Sequence, residues 1–203
     1  MLKDIFVELF SKNSSDNVLC DAIWTEIEFK YSHHKRYYHT LTHIQNLINE
    51  LTEVKSQIED WDTVLFSLFF HDIIYSSKNK NNEEDSAELA KKFLIQIEYP
   101  IAKIQICYDQ IIATKTHSIN KNRDTNLFTD ADLSILGYDW EMYHKYINQI
   151  RKEYSIYPDF LYYPGRKKVL KRFLNMDKIF KTEYFYSKFE KQARLNIERE
   201  LSL

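Results

Sequence analysis

Only two glycines, Gly137 and Gly165, occur among the 203 residues of this chain, together with three prolines. Tight turns between β-strands depend on glycine, because their backbone takes up conformations that other residues avoid. A chain so poor in glycine is badly suited to the many hairpins of a β-sandwich or barrel. Its apolar residues recur every three or four positions, which is the spacing of an amphipathic helix. The sequence therefore predicts an all-α fold.

The apolar periodicity and the capping residues divide the chain into a series of helices. Gly137 is expected to end one of them as a C-cap, while Pro158 and the pair at 164–165 are expected to separate others. The polar stretch "SINKNRDTN" is expected to be a loop. We predict helices around residues 2–10, 18–27, 40–51, 60–74, 83–97, 100–117, 127–137, 140–154, 165–176 and 183–201.

Length and composition fit a single domain over residues 1–203. Hydrophobic residues make up 44% and charged residues 29%, and the net charge of −2 predicts no binding to duplex nucleic acid or to an anionic membrane. The first residues carry Asp4 and Glu8 within an apolar pattern, so they do not form the core of a signal peptide. Cys20 and Cys107 have no metal or redox spacing. We expect a cytoplasmic protein.

The stretch "YYHTLTHIQNL" places His39 and His43 four residues apart, which is one helical turn. If the helix begins near Thr40, only His43 lies within it, at the border of the apolar stripe. Taken alone, such a histidine is more often a hydrogen-bonded side chain of the core than a metal ligand.

The stretch "FFHDIIY" places His71 and Asp72 side by side in an apolar run. A buried carboxylate without a partner is strongly disfavoured. Either the helix ends here and Asp72 bonds to a nearby donor, or a cation neutralises it. Imidazole and carboxylate together are a common ligand set for divalent metals, so His71 and Asp72 are candidate ligands.

The stretch "LFTDADLSILG" contains a second carboxylate pair in apolar surroundings, Asp130 and Asp132. Two positions apart on a helix, these side chains face different ways. A capping role for Asp130 with Asp132 in solvent explains the segment without any metal.

The order of His43, His71–Asp72 and Asp132 resembles the H…HD…D signature of the HD superfamily of metal-dependent phosphohydrolases. "HTLTHI" is similar to the family's first motif and "DADLSILG" to its last, so the resemblance favours His43 over His39 and Asp132 over Asp130 as ligands. It extends from about residue 36 to the C-terminus through the segments "RYYHTLTHI", "FHDIIY", "NEEDSAELA", "IIATKTH", "DADLSILG", "IRKEY", "GRKKVL" and "ARLNIEREL".

The resemblance implies an HD-domain helical bundle with a metal-site core at about residues 36–140 and C-terminal helices, residues 140–203, packed on it. It implies a divalent ion held by His43, His71, Asp72 and Asp132, with Mn²⁺, Fe²⁺, Co²⁺, Ni²⁺, Zn²⁺ or Mg²⁺ as candidates. The implied activity is hydrolysis of a nucleotide or another small phosphate ester. The alternative is a non-catalytic HD-fold module that binds a metal or a nucleotide.

Other side chains are candidates for catalysis or substrate binding. Asp72 is a candidate proton acceptor for the attacking water. His117 lies either near a second metal or the phosphate, or at a helix C-terminus where the dipole favours a cation. Lys115 and Arg151 are candidates for steadying phosphate charge. Further candidates for contacting substrate are His39, Glu83 and Arg166, although Glu83 also suits the first turn of a helix and each arginine also suits a surface ion pair.

Overall fold

The computed structural model describes all 203 residues and contains ten α-helices and no β-strand, which confirms the all-α prediction. Two 3-10 helices, Lys55–Gln57 and Ser134–Gly137, join some of them. The α-helices are α1 (Leu2–Ser11), α2 (Asn17–Tyr31), α3 (Leu41–Glu53), α4 (Trp61–Phe70), α5 (Asn82–Gln96), α6 (Ile101–Ala113), α7 (Arg123–Asp132), α8 (Trp140–Glu153), α9 (Asp159–Leu174) and α10 (Glu183–Leu201).

The chain divides into two compact units, Met1–Thr129 and Asp130–Leu203. The division falls within α7, which is one continuous helix across it. The HD-type arrangement of a single domain stays a prediction.

In the first unit, α4 is the most deeply buried helix, as its nearly uniform apolarity predicts. Every residue from position 63 to position 70 is buried, and α4 packs against α3, α5 and α6. The Asp60 side chain caps its N-terminus by accepting a hydrogen bond from the Thr63 N–H. Phe6, Trp24 and Phe69 join α1, α2 and α4 through ring contacts. The burial of α4 fixes the position of the residues that follow it.

The α4 helix ends at Phe70, earlier than the predicted continuation through residue 74. The carbonyl groups of Asp72 and Ile73 accept hydrogen bonds from Arg36, and the backbone of Ile74 pairs with the Ser86 hydroxyl. In a longer helix, these backbone groups would form hydrogen bonds within the helix. Here Arg36 and Ser86 bind them instead, so the helix can end at Phe70 without unpaired buried polar groups. Asp72 therefore lies in a turn just after α4.

In the second unit, α10 packs against the 3-10 helix Ser134–Gly137 and against α9. The Asn196 side chain donates hydrogen bonds to the carbonyl oxygens of Leu136 and Tyr138, which anchors the 3-10 helix to α10. Glu200 of α10 receives two hydrogen bonds from the Arg166 guanidinium of α9. Charge-assisted pairs of this bidentate form fix orientation as well as distance.

Two predictions in the middle of the chain are wrong. The α7 helix begins at Arg123, inside the predicted loop, because Asn122 accepts a hydrogen bond from the Thr125 N–H and so caps it. Gly137 is not a left-handed C-cap, since neither glycine has a positive φ. A Cβ at position 137 would lie 2.5 Å from the Phe189 Cβ, so glycine is required here by close packing against α10.

The predicted break at residues 164–165 is also wrong, because α9 runs from Asp159 through both of them to Leu174. Within a helix a proline removes one internal hydrogen bond and crowds the carbonyl four residues earlier, yet α9 continues, with Tyr162 and Leu170 buried on either side of Pro164. Pro158 does mark the start of this helix, as its N-cap. None of the ten helices has both the length and the apolar composition needed to cross a membrane.

Candidate metal centre

His43 lies in the first turn of α3, just after the N-cap residue Thr40. It is buried with Ile44 and Leu47, which follow it on the apolar side of the helix. The amphipathic pattern of α3 therefore carries the imidazole into the interior of the first unit.

His71 is the C-cap residue of α4 and is also buried. Its Nδ1 lies 2.9 Å from the carbonyl oxygen of Leu68. A carbonyl oxygen can only accept a hydrogen bond, so Nδ1 carries the proton that is donated. In a neutral ring the other nitrogen, Nε2, then presents a lone pair. This arrangement, in which one nitrogen donates to a backbone carbonyl, is typical of histidines that bind a metal through the other.

The Nε2 lone pair of His71 faces two other electron-rich groups. It lies 3.2 Å from the Nε2 of His43 and 3.1 Å from the Oδ2 of Asp72. The distance between His43 Nε2 and the same Asp72 oxygen is 3.8 Å. Lone pairs at such distances repel one another unless a proton or a cation lies among them. The three side chains can therefore serve as ligands of a positive ion.

His39 lies in the irregular segment before α3, at the edge of the same cluster. Its Nε2 is 3.9 Å from Asp72 Oδ2, and its ring lies against that of Tyr75, with the ring centroids 4.1 Å apart. The imidazole is more exposed than those of His43 and His71. His39 thus borders the buried donor atoms from the solvent side.

Asp132 is the last residue of α7. One ligand atom from each of His43, His71 and Asp132 lies within 4.8 Å of the others, a grouping that could hold a metal ion. Asp72 is not a member of this group of three, although its Oδ2 lies 3.1 Å from the Nε2 of His71.

The neighbouring carboxylate, Asp130, is fully buried, and both of its oxygens have partners within the protein. It accepts hydrogen bonds from the N–H groups of Lys181 and Thr182 and from the Thr182 hydroxyl, and it forms a 2.9 Å ion pair with the Lys181 ammonium. Asp130 therefore ties α7 to the start of α10 within the second unit. The two aspartates of "DADL" therefore differ in their surroundings: Asp130 is fully buried against Lys181, whereas Asp132 belongs to the grouping with His43 and His71.

Arg36 joins the two histidine-bearing segments. Its guanidinium donates hydrogen bonds of 2.7 Å to the carbonyls of Asp72 and Ile73, and one of 3.3 Å to the carbonyl of His39. The same group lies over the ring of Tyr75 at 5.6 Å. Arginine is suited to this position because its planar fork offers several donors at once. The only feature of the sequence that links Arg36 to this site is its position three residues before His39.

The Tyr31 side chain supports the turn from a second direction. Its hydroxyl accepts a hydrogen bond from the Asp72 N–H, and the Arg36 guanidinium lies 4.8 Å above its ring. Nothing in the local sequence pattern around Tyr31 marks this contact, because it depends on the packing of α2 beside the turn.

The candidates on α5 and after α6 have structural roles of their own. Lys115 forms an ion pair with Glu84, lies 3.9 Å from Glu83, and donates to the carbonyl of Lys80. His117 follows α6 with a left-handed backbone, φ 52°, and its N–H closes the helix end on Ala113. Their predicted catalytic or substrate-binding roles stay predictions.

The two arginines of the second unit are engaged in contacts between helices. Arg151 donates to the Asp159 carboxylate and to the carbonyls of Tyr154 and Tyr157, and so joins the end of α8 to the start of α9. Arg166 is held by Glu200, as described above. These contacts account for both side chains structurally, and a role in substrate binding stays a prediction.

The donor set suits a divalent transition metal. Imidazole nitrogens combined with carboxylate oxygens are ligands that Mn²⁺, Fe²⁺, Co²⁺, Ni²⁺ and Zn²⁺ accept. Neither cysteine is part of the grouping, and burial raises the pKa of the Cys107 thiol to about 12, which keeps it protonated. No protein-family model, curated protein or solved structure matches this chain.

Proposed function

We propose that this protein is a metal-dependent phosphohydrolase of the HD type, acting on a nucleotide or another small phosphate ester. In this proposal His43, His71, Asp72 and Asp132 bind a divalent ion. The observation that carries it is the convergence of two buried imidazole nitrogens and a carboxylate oxygen, with Nδ1 of His71 already occupied by the Leu68 carbonyl. The H…HD…D resemblance and the all-helical fold support the same assignment.

Each residue has a distinct part in the proposed reaction. A divalent ion bound here would lower the pKa of a water ligand and withdraw charge from phosphoryl oxygens. Asp72 is part-exposed, in contrast to the buried histidines, so its carboxylate can accept a proton from a water molecule that enters from solvent. His39 borders Asp72 on the solvent side, and we expect it to contact the substrate. Arg36 keeps the backbone of both segments in place while this occurs.

The first test concerns the metal. Protein purified without chelator or affinity-tag metal should contain at least one divalent ion per chain by elemental analysis. His71→Ala and Asp72→Ala should lose it, whereas the exposed His34→Ala should retain it. Full occupancy in both His71→Ala and Asp72→Ala would refute the site.

The second test concerns the reaction. Metal-loaded protein should release a phosphate-containing product from at least one member of a panel of nucleoside mono- and triphosphates, cyclic nucleotides and phosphomonoesters. Asp72→Ala should lose this activity while its circular dichroism spectrum is unchanged. Tight binding of one of these compounds without any turnover would instead support the non-catalytic binding module.

A further inference from the structure

The outward side of α9 carries a concentration of positive charge, which we call the α9 basic face. No acidic residue occurs between Asp159 and Asp177, whereas five basic residues do. Four of these side chains line an open groove of about 660 Å³ together with Pro164 and Asn175. The α9 basic face consists of Lys167, Lys168, Lys171 and Arg172.

The lysines of this face have no acidic partner within the chain. The side chains of Lys167, Lys168 and Lys171 are exposed and form no ion pair or hydrogen bond. Many other lysines of the chain do pair with a carboxylate, for example Lys103 with Asp60. Unpaired like charges on neighbouring turns repel one another. An anion bound between the lysines would relieve this repulsion, so the face attracts anions.

Large apolar side chains are exposed on the same side of the helix. Phe160 is 75% exposed and Leu161 is 55% exposed. Phe160, Lys167 and Lys171 are spaced by seven and four residues, so they share one side of α9. Leu161, Lys168 and Arg172 repeat this spacing one position later. The opposite side contains the buried residues Tyr162 and Leu170.

The exposed apolar cluster extends beyond these two residues. Ile156 precedes α9 and is 51% exposed, and Tyr163 is 50% exposed. Scattered exposed apolar residues are ordinary, but four within eight positions next to the three unpaired lysines form a patch. The N-terminal end of α9 is therefore apolar on its surface and the following turns are cationic.

We propose that α9 binds the surface of an anionic phospholipid bilayer. The lysines of the α9 basic face would pair with lipid phosphates and carboxylates, while Phe160 and Leu161 enter the boundary between headgroups and acyl chains. Phe160 and Tyr163 offer rings on which a base could stack, but Ile156 and Leu161 do not. These two aliphatic side chains gain from leaving water, which favours a bilayer over single-stranded nucleic acid. None of these residues belongs to the proposed metal site, so this proposal does not depend on it.

The net charge of −2 conceals this surface because the charges are unevenly divided. Residues 1–129 contain 14 Lys and Arg against 19 Asp and Glu, whereas residues 130–203 contain 14 against 11. The expectation of no membrane binding used the net charge of the whole chain. That sum combines a first unit of negative net charge with a second unit of positive net charge.

The test is co-sedimentation of the 203-residue chain with vesicles of phosphatidylcholine, with and without phosphatidylserine. Binding should require phosphatidylserine and should weaken at high salt, because salt screens the lysines. Lys167→Glu/Lys168→Glu should bind at least about tenfold more weakly, and Phe160→Ser/Leu161→Ser should bind several-fold more weakly at unchanged charge.

The matched control is Lys91→Glu/Lys92→Glu, which makes the same charge change at two exposed neighbouring positions of α5. This variant should bind almost as well as the unmodified chain. Equal losses in the control and the α9 variant would overturn the proposal, as would no binding to phosphatidylserine vesicles at low salt. Tighter binding to single-stranded RNA than to the phosphatidylserine vesicles would assign the face to nucleic acid instead.

Discussion

The Nε2 atoms of His43 and His71 lie 3.2 Å apart, although 28 residues separate them in the sequence. One imidazole comes from the first turn of α3 and the other from the end of α4, and these two helices pack against each other. Both rings are buried. Moving the two imidazoles apart would therefore expose apolar surface or displace a helix. A rigid pair of this kind offers two nitrogen donors whose geometry is set before any ligand binds.

The two histidines of "HTLTH" should differ in their contribution to metal binding. We expect His43→Ala to lose the divalent ion, because its nitrogen is one of the two buried donors. We expect His39→Ala to retain most of the ion, since its side chain is 17% exposed and it is not a member of the buried grouping of His43, His71 and Asp132. Isothermal titration with Mn²⁺ or Zn²⁺ measures both affinities. The reverse order of losses would show that the ligand is His39.

The two aspartates of "DADL" should also separate, but by different measurements. Asp132→Asn should lose the metal with little change in stability. Asp130→Asn should retain the metal while its free energy of unfolding falls by about 3 kcal/mol, because the change leaves the Lys181 charge buried without its partner. Metal titration together with urea unfolding distinguishes the two effects. Loss of metal in Asp130→Asn at full stability would contradict the assignment.

Arg36→Lys tests whether the positioning of the two segments matters for metal binding. Lysine keeps the charge but cannot supply the planar fork that bonds to Asp72 and Ile73 at once. We expect metal affinity to fall roughly 10- to 100-fold, the usual effect of losing a group that orients ligands. The Co²⁺-loaded protein should also change its visible absorption spectrum. The exposed neighbour Lys35→Ala should change neither property.

The Asp60 cap of α4 should make stability depend on pH in the acid range. Burial alone would raise the pKa of this carboxyl, but hydrogen bonds from Lys103 and Thr63 outweigh it, and the pKa is lowered below its usual 3.8. Its stabilising contribution is therefore complete above about pH 4 and is lost as the pH falls through the lowered pKa.

Asp60→Ala measures that contribution directly. The variant should be less stable than the unmodified protein by about 1 kcal/mol at neutral pH, which is the usual cost of losing an N-cap. The difference should narrow as the pH falls below 4, where the carboxyl of the unmodified protein becomes protonated. Chemical unfolding at a series of pH values checks this. A difference that stays constant down to the lowest pH would exclude the carboxylate as its source.

The two glycines should respond in opposite ways to alanine. At Gly137 a Cβ would meet the Cβ, Cα and carbonyl oxygen of Phe189 at 2.5–2.9 Å, so we expect Gly137→Ala to destabilise the protein by about 1–3 kcal/mol. At Gly165 nothing lies within 4 Å and the residue is inside α9, so Gly165→Ala should stabilise it by about 0.5–1 kcal/mol. Thermal unfolding of both variants provides the comparison, each serving as the other's control.

Helix boundaries were predictable where the signal was local. Asp60 stands one residue before α4, and its side chain accepts a hydrogen bond from the Thr63 N–H, a contact within one helical turn. Thr40 likewise stands one residue before α3, although its side chain makes no capping hydrogen bond. The end of α4 was not predictable, because it depends on Arg36, which is more than 30 residues away in the sequence. The continuation of α9 through Pro164 likewise depended on the burial of Tyr162 and Leu170, which a proline in the sequence does not reveal.

The sequence by itself determined that the chain is helical, since glycine scarcity and apolar periodicity are properties of the residues alone. The apolar run around them also marked His71 and Asp72 as candidate ligands, whereas the choice of His43 and Asp132 came from the resemblance to the H…HD…D signature. Only the tertiary structure decided which nitrogen of His71 faces inward, that Asp130 is paired with Lys181, and that Arg36 joins two distant segments. Hydrogen bonds and ion pairs between distant residues depend on how helices pack, and packing is a property of the whole fold.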